Sequence, residues 1–391
     1  MLGVAVLLAM TTWFSATAAL PQLREMWELS DAAAAWLTIA VQVGFVCGAL
    51  TSAFLTLSDI LPPRRMILLG AIGAAGANAI LLVADGASLA IPLRIATGFF
   101  LAGVYPPALK SMATWFRAGR GTGLGILVGA LTLGSAAPHL INGLGGVDWR
   151  VVVAATTALT VIGGVIAETA GSEGPWPFPS ATFDPRQARR AFAERGVRLA
   201  SLGYFGHMWE LYAMWAWFLA FFAAVLTANH AAQPLEGAAF ATFAVIAAGG
   251  VGCWVGGILG DRWGRTRTTA LSMAISGSCA LVIGHLVEAP PAIVLGLGLV
   301  WGFWVVSDSA QFSTIVTEVA DQRYVGTALT LQLAIGFLLT GATIWLVPEL
   351  VESVGWGWAF AALAPGPALG TAAMLRLLAS PETERIAGGR G

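Results

Sequence analysis

Twelve mostly apolar stretches, each of about twenty to thirty residues, dominate this chain and leave few folds open to it. They lie at roughly 2–20, 32–57, 66–84, 89–110, 121–142, 149–168, 198–228, 236–260, 268–286, 290–316, 325–348 and 356–378. An α-helix needs about 20 such residues to cross the hydrocarbon core of a bilayer. Outer-membrane strands alternate in polarity over about ten residues, and these runs do not alternate. Composition agrees. Of the 391 residues 10% are charged and 57% apolar, whereas soluble domains carry about 25% charged residues. A soluble enzyme of two or three domains is excluded. A net charge of −1, with one lysine and no basic stripe, excludes a nucleic-acid binder. The reading is an all-α, polytopic membrane protein whose main partner is the lipid bilayer.

The first stretch has a rival reading. Residues 1–20 end in Ser15-Ala16-Thr17-Ala18-Ala19, which can pass for a signal-peptidase site. No positive segment precedes it, and its removal leaves eleven spans, so it reads as span 1. Basic residues set the orientation. Arg64 and Arg65 follow span 2, Lys110, Arg117 and Arg120 follow span 4, and Arg186, Arg189, Arg190, Arg195 and Arg198 occupy the middle loop. Arg262, Arg265 and Arg267 follow span 8, Arg323 follows span 10, and Arg376, Arg385 and Arg390 close the chain. That is 17 of 20 basic residues on one side, against Arg24 and Arg150 on the other and Arg94 within span 4. The positive-inside rule predicts a cytoplasmic (inner) membrane protein with both termini and the middle loop in the cytoplasm.

The chain also repeats itself. Trp13-Phe14 recurs as Trp217-Phe218, Asp59 as Asp261, Gly121-Thr122 as Gly326-Thr327, and Trp149 as Trp356, all at offsets near 205. The pattern predicts a six-helix bundle over 1–168, a cytoplasmic linker over 169–197, and a second six-helix bundle with a short tail over 198–391. A surface helix is expected near Pro185 to Glu194. Duplicated halves of this kind usually enclose a substrate site at their interface, near mid-membrane.

Gly257-Ile258-Leu259-Gly260-Asp261-Arg262-Trp263-Gly264-Arg265-Thr266-Arg267 resembles the signature G-x-x-x-D-R-x-G-R-R of the major facilitator superfamily. Leu57 to Arg65 is a degenerate copy that keeps Asp59, Arg64 and Arg65. Arg94-Ile95-Ala96-Thr97-Gly98 is similar to the family's second signature, and Gly134 to Pro138 to part of its antiporter signature. The resemblance covers essentially the whole chain. It implies the major facilitator fold of twelve helices in two pseudo-symmetric bundles, which rock about a central cavity without ATP. No P-loop is present, which fits an ion-coupled or facilitative carrier. The resemblance also implies a latch at the inner surface. In that latch Asp261 caps the start of span 11 near Gly326-Thr327, and Arg262 and Arg265 pair with Glu318. Asp59 holds the place equivalent to Asp261 in the first half. The plainer role for the arginines is to set topology.

Buried charges are where function is sought, because charge in hydrocarbon is expensive. Glu210 lies twelve residues beyond Arg198, about 18 Å at 1.5 Å per residue. His207 is one helical turn away on the same face. A carboxylate beside an imidazole can titrate near neutral pH, as proton coupling requires; the alternative is a structural pair. Asp308 stands where the first half has Gly103 and can hold a proton, a substrate amine or a hydrogen bond to Ser307 or Ser309. Arg94 either holds backbone carbonyls, as the resemblance implies, or binds an anion. Gln42, Asn78, His139, Asn142 and Gln332 are further polar residues able to line a cavity.

Sixteen tryptophans and nineteen phenylalanines include many belt residues. Trp13, Trp209, Tyr212, Trp215, Trp301 and Trp304 sit deeper, on spans 1, 7 and 10, which line the cavity in the family. Such a cavity suits a moderately apolar organic molecule, not a sugar, and the arginines that nitrate carriers place in spans 2 and 8 are missing. Cys47, Cys253 and Cys279 have no ligand spacing. A sensor on a carrier fold and a membrane enzyme are the rivals; the first has no signalling domain in this chain, the second no catalytic cluster. The expectation is a monomeric secondary transporter of a small organic molecule, coupled to protons and without a cofactor.

Overall fold

The computed structural model describes residues 1–391 apart from 117–118, 147, 177–182 and 322, and only the backbone of Ser58 and Asp59. Arg117, part of the linker and the Asp59 side chain therefore lie outside the described residues. Helices and their connections make up the rest, with no strand among the described residues. Among the described residues ten apolar helical runs are long enough to cross a membrane, and one of them, Val325–Leu378, contains both predicted spans 11 and 12.

The main helices are α1 (Leu2–Ala9), α2 (Asp31–Phe54), α3 (Pro63–Ile80), α4 (Ala87–Leu101), α5 (Arg120–Leu144) and α6 (Trp149–Ala170), then α7 (Arg195–Ala228), α8 (Pro234–Arg262), α9 (Arg265–Ile283), α10 (Pro291–Ser307), α11 (Val325–Ala361) and α12 (Pro365–Leu378). Local sequence explains their starts. Pro63, Pro234, Pro291 and Pro365 open α3, α8, α10 and α12, where an N–H has no helical partner to lose. Ser30 and Asp148 cap α2 and α6 by accepting from the Ala33 and Arg150 amides at 3.3 and 2.9 Å.

Four predicted spans are interrupted. Span 1 is not one helix: after α1 come a 3-10 turn (Met10–Thr12) and short pieces at Ser15–Ala18 and Leu20–Met26. Irregular backbone at membrane depth survives only where its polar groups find partners inside the protein, and here Arg94 supplies donors to the Thr12 and Trp13 carbonyls. The fourth span breaks after α4 and resumes at Tyr105–Ala113; the tenth breaks at Asp308 and resumes at Ser309–Val319. The twelfth breaks between Ala361 and Pro365, and its first part runs on from α11 through a kink at Gly355 (φ 81°, ψ 173°). A positive φ of this kind is open to glycine without steric penalty. The expected linker helix is shorter than its sequence, a 3-10 turn at Pro185–Gln187 and one turn at Ala188–Ala191.

Packing repeats with the sequence. The pairs α2–α4, α3–α4, α3–α6, α1–α5 and α1–α6 recur as α8–α10, α9–α10, α9–α12, α7–α11 and α7–α12. Two seams join the halves, α5–α8 and α2–α11. The first is built on close backbone approach: a side-chain carbon at Gly125 would fall 2.5 Å from the Cys253 carbonyl oxygen, and one at Gly257 would fall 2.6 Å from that of Gly121. Small residues let helices approach in lipid, where packing rather than water exclusion drives association.

Candidate functional site

Three groups of buried polar side chains lie at different places in this frame. The first is in the second half. On α7, Glu210 is 1% exposed; its Oε1 accepts from Trp301 Nε1 and its Oε2 from Ser276 Oγ, both at 2.7 Å. The partners come from α10 and α9, so the carboxylate binds three helices together. His207 does not pair with Glu210, contrary to the sequence expectation. Its Nδ1 lies 2.9 Å from Asp308 Oδ1, and its Nε2 shares a 2.8 Å hydrogen bond with Ser309 Oγ. The reason is that both Glu210 oxygens are taken by Ser276 and Trp301, while the break in span 10 brings Asp308 within reach of His207. The His207–Asp308 approach has ion-pair distance but is out of line for a hydrogen bond, which leaves Oδ1 with no aligned donor. Ser307 and Ser309, the expected partners of Asp308, bond instead to Ser272 and His207.

The second group is in the first half. Arg94 is fully buried and donates from Nε to the Leu37 carbonyl at 3.3 Å, from Nη1 to the Thr12 carbonyl at 3.0 Å and Ser15 Oγ at 3.1 Å, and from Nη2 to the Trp13 carbonyl. Most of the guanidinium's N–H donors are thus engaged by the break in span 1 and by α2. Asn78 and Asn142 are spent similarly: Asn78 Nδ2 reaches the Val153 carbonyl at 3.2 Å, and Asn142 Nδ2 the Ala18 carbonyl at 2.7 Å. In the second half, Gln332 of α11 is spent in the same way, donating to Ser201 Oγ of α7 at 3.4 Å.

Between the halves lies an aromatic cluster. Trp13 stands 4.9 Å from Phe45, 5.6 Å from Phe337 and 5.9 Å from Tyr212, ring centre to ring centre. Phe14 meets Trp215 at 5.9 Å, and Phe45 meets Phe337 at 4.6 Å. These contacts join α2 and the span 1 break to α7 and α11. Several polar atoms here have no partner: Thr12 Oγ1, the indole nitrogens of Trp13 and Trp215, both amide atoms of Gln42 and both ring nitrogens of His139. Gln42 shares a face of α2 with Thr38, which bonds Thr17 at 2.8 Å, and with Phe45, which meets Trp13. It therefore faces the break in span 1. His139 is one turn from Asn142, which holds the same segment.

Three tryptophans expected at the cavity are elsewhere. Trp209 donates to the Ala362 carbonyl at 3.1 Å, toward α12, because it lies a third of a turn round α7 from Trp215. Trp301 packs inside the second half on Glu210 and Phe360. Trp304 is half-buried beside Phe303. An apolar groove of about 790 Å³ lined by Leu7, Trp115, Leu133 and Trp254 is also off the centre, and it holds no charged side chain.

The third group forms at the end of the bundle that bears most arginines. Asp261 does not cap α11. Its Oδ1 accepts from Gly121 N at 3.2 Å, and its Oδ2 from Thr122 N and Thr122 Oγ1, each at 2.8 Å, so it caps α5. The close α5–α8 seam brings that helix start, not the start of α11, beneath the carboxylate. Thr327 at the head of α11 is engaged by the Asp184 backbone of the linker, at 3.0 Å. Arg265 completes the latch: Nη1 donates to Asp261 Oδ1 at 3.1 Å and Gln311 Oε1 at 2.9 Å, Nη2 to Glu318 Oε1 at 3.0 Å. Arg262 is exposed outside this network. Sequence reasoning missed Ser276, Gln311, Phe45 and Phe337. Ser272 and Ser276, four apart on one face of an apolar α9, carried a signal; the aromatics did not stand out among nineteen phenylalanines.

The duplicated bundle, helical throughout its described elements, with two seams between the halves and polar breaks inside its spans, has the architecture of a membrane carrier. The profile of the Major Facilitator Superfamily matches residues 2–342, and the chain belongs to that family of transporters. No curated protein matches it. Solved structures share its fold. A bacterial homolog of the human lysosomal transporter Spinster, inward-facing and unoccupied, is 15% identical, with 97% of this chain and 93% of that one covered at a TM-score of 0.64. The human organic anion transporter MFSD10 (TETRAN) is 16% identical over 95% and 98%, TM-score 0.72. The proton:xylose symporter XylE bound to 6-bromo-6-deoxy-D-glucose is 14% identical over 96% and 94%, TM-score 0.72.

Proposed function

We propose that this transporter moves a small organic molecule across the cytoplasmic membrane by alternating access, coupled to protons, with the substrate held between the halves. The halves are residues 1–168 and 198–391, joined by a cytoplasmic linker over 169–197, with both termini cytoplasmic and the chain acting as a monomer. The observation that carries the coupling is the pair of fully buried acids, Glu210 and Asp308, on α7 and at the break in span 10. Buried intramembrane acids of this kind mark ion and proton pathways. The similarity to a proton:xylose symporter supports a proton as the coupling ion. In this reading Glu210 and the His207–Asp308 pair exchange protons with water when the halves part. The Asp261 cap on α5, steadied by Arg265 within the second half, holds the cytoplasmic side closed until then.

The anion-carrier reading for Arg94 loses support, because its donors are engaged by backbone. The test is substrate-induced proton flux in dye-loaded proteoliposomes, across a panel of organic compounds selected by thermal stabilisation at two pH values. Flux in the native protein that Glu210→Gln and Asp308→Asn both remove is the expected result. Transport without proton movement in the native protein would refute coupling.

A further inference from the structure

The centre of the molecule holds an unusual inventory: aromatic walls and polar groups without partners, none of them permanently charged. Buried polar side chains are nearly always hydrogen-bonded, and an unmade bond in an apolar site is costly. Seven such atoms gather on α2, α5, α7 and the span 1 break, at Thr12, Trp13, Gln42, His139 and Trp215. All five residues are at most 2% exposed. Trp13 and Trp215 stand in the ring contacts that join the two halves, the surface that parts when a carrier changes state, and Gln42 shares a face of α2 with Phe45 in the same contacts.

Charge is directed elsewhere. The Glu210 oxygens accept from Trp301 and Ser276, inside the second half. Asp308 is turned to His207. Arg94 is given over to the carbonyls of Leu37, Thr12 and Trp13. A charged substrate buried between Trp13, Phe45, Tyr212 and Phe337 would therefore lose its hydration without gaining a counter-charge, the costliest kind of burial. The free groups include two indole N–H groups and the Gln42 amide N–H₂, which only donate, beside the Gln42 oxygen, which accepts, and the Thr12 hydroxyl and His139 imidazole, which can do either. A polyol brings a hydroxyl at every carbon, more polar groups than these few atoms can partner among the rings, so its burial here leaves hydroxyls unbonded. Ring walls drawn from four elements offer flat apolar faces.

Resting on the proposed central site, we infer that the substrate is an uncharged, flat aromatic or conjugated molecule carrying carbonyl-type acceptors. It enters between Trp13 and Tyr212 and takes the place of the ring contacts that now join the halves. The indoles of Trp13 and Trp215 and the amide of Gln42 donate to its acceptors. The protons that drive it are handled by other residues, so substrate charge and coupling are separate.

The experiment uses full-length protein in nanodiscs and two sets of near-isosteric probes. One is benzamide, benzoate and benzamidinium; the other is 2-quinolone, quinaldate and N-methylquinolinium. D-xylose serves as an uncharged polyol. Binding is read by equilibrium titration. The neutral member of a set should bind at least about tenfold more tightly than either charged member, and D-xylose should not bind. Gln42→Leu and Trp215→Phe, which keep volume or ring, should each weaken the neutral probe about fivefold, the worth of one hydrogen bond. A charged probe or D-xylose that binds as well as the neutral ones, or neutral probes silent to their solubility limit, overturns the substrate class. Neutral binding that both variants leave unchanged overturns the central site itself. Loss of a cation's binding in Asp308→Asn would move the site to that acid and overturn both.

Discussion

The two halves share a helical plan and bury opposite chemistry. Trp217 of the second half donates its indole N–H to the Ile344 carbonyl at 2.9 Å; its counterpart Trp13 leaves the same nitrogen unpartnered at the centre. The fourth and tenth spans break at equivalent places, yet the first half puts Gly103 there, packed against Gly70, and the second puts Asp308 against His207. Arg94 is the first half's buried charge and holds backbone; Glu210 is the second half's and holds side chains. Duplication supplied one scaffold, and divergence of a few side chains let one copy shape a break while the other gathered acids.

Substitutions can break this division. The largest effect is expected for Glu210→Gln, which mimics a permanently protonated acid. Accumulation driven by a pH gradient should fall at least about a hundredfold, a loss of about 2.7 kcal/mol of driving, while counterflow across the same liposomes persists. Retained accumulation would move the proton site to Asp308. Arg94→Ala should come next and act on folding, because it strips donors from the Thr12 and Trp13 carbonyls. A loss of about 3–5 kcal/mol, the usual cost of removing one partner from a buried charged network, is expected in unfolding titrations. Well-folded protein with changed charge preference would show instead that Arg94 binds substrate.

Asp261→Asn should have a smaller effect. It keeps an acceptor for the α5 amides but weakens the charge-assisted cap and the contact to Arg265, by about 1–2 kcal/mol. Transport in proteoliposomes should fall about tenfold with insertion unchanged, and crosslinking between the ends of α5 and α8 should slow. An equal loss of crosslinking at α11 would contradict the cap seen here. The smallest effect is expected for Arg323→Ala. Its hydrogen bonds hold the exposed Asp321 carboxyl down at about 2. That depressed value favours the folded state above the ordinary carboxylate range and ceases to do so as pH falls through about 2. Near neutrality a solvent-exposed pair contributes little, so melting temperature and transport should match the native protein at pH 7.

Much of this architecture was legible in the residues. Runs of about twenty apolar residues, a repeat near 205 residues and the Gly257-to-Arg267 signature determine a duplicated helical carrier, because lipid offers no partner to a backbone polar group and helices satisfy nearly all of theirs internally. The rare charges in those runs also named themselves as Arg94, His207, Glu210 and Asp308. Which of them meet is a different matter. Helical spacing joined His207 to Glu210 and the family resemblance joined Asp261 to α11, yet His207 is drawn to Asp308 at the break in span 10, and Asp261 is held by α5, which packs close to α8. The break at Trp13-Phe14 was equally hidden, since its cause lies about eighty residues away in the guanidinium of Arg94. Hydrophobicity is local and reads along the chain; partnership depends on which helices touch and where they bend, and only the packed tertiary structure decides that.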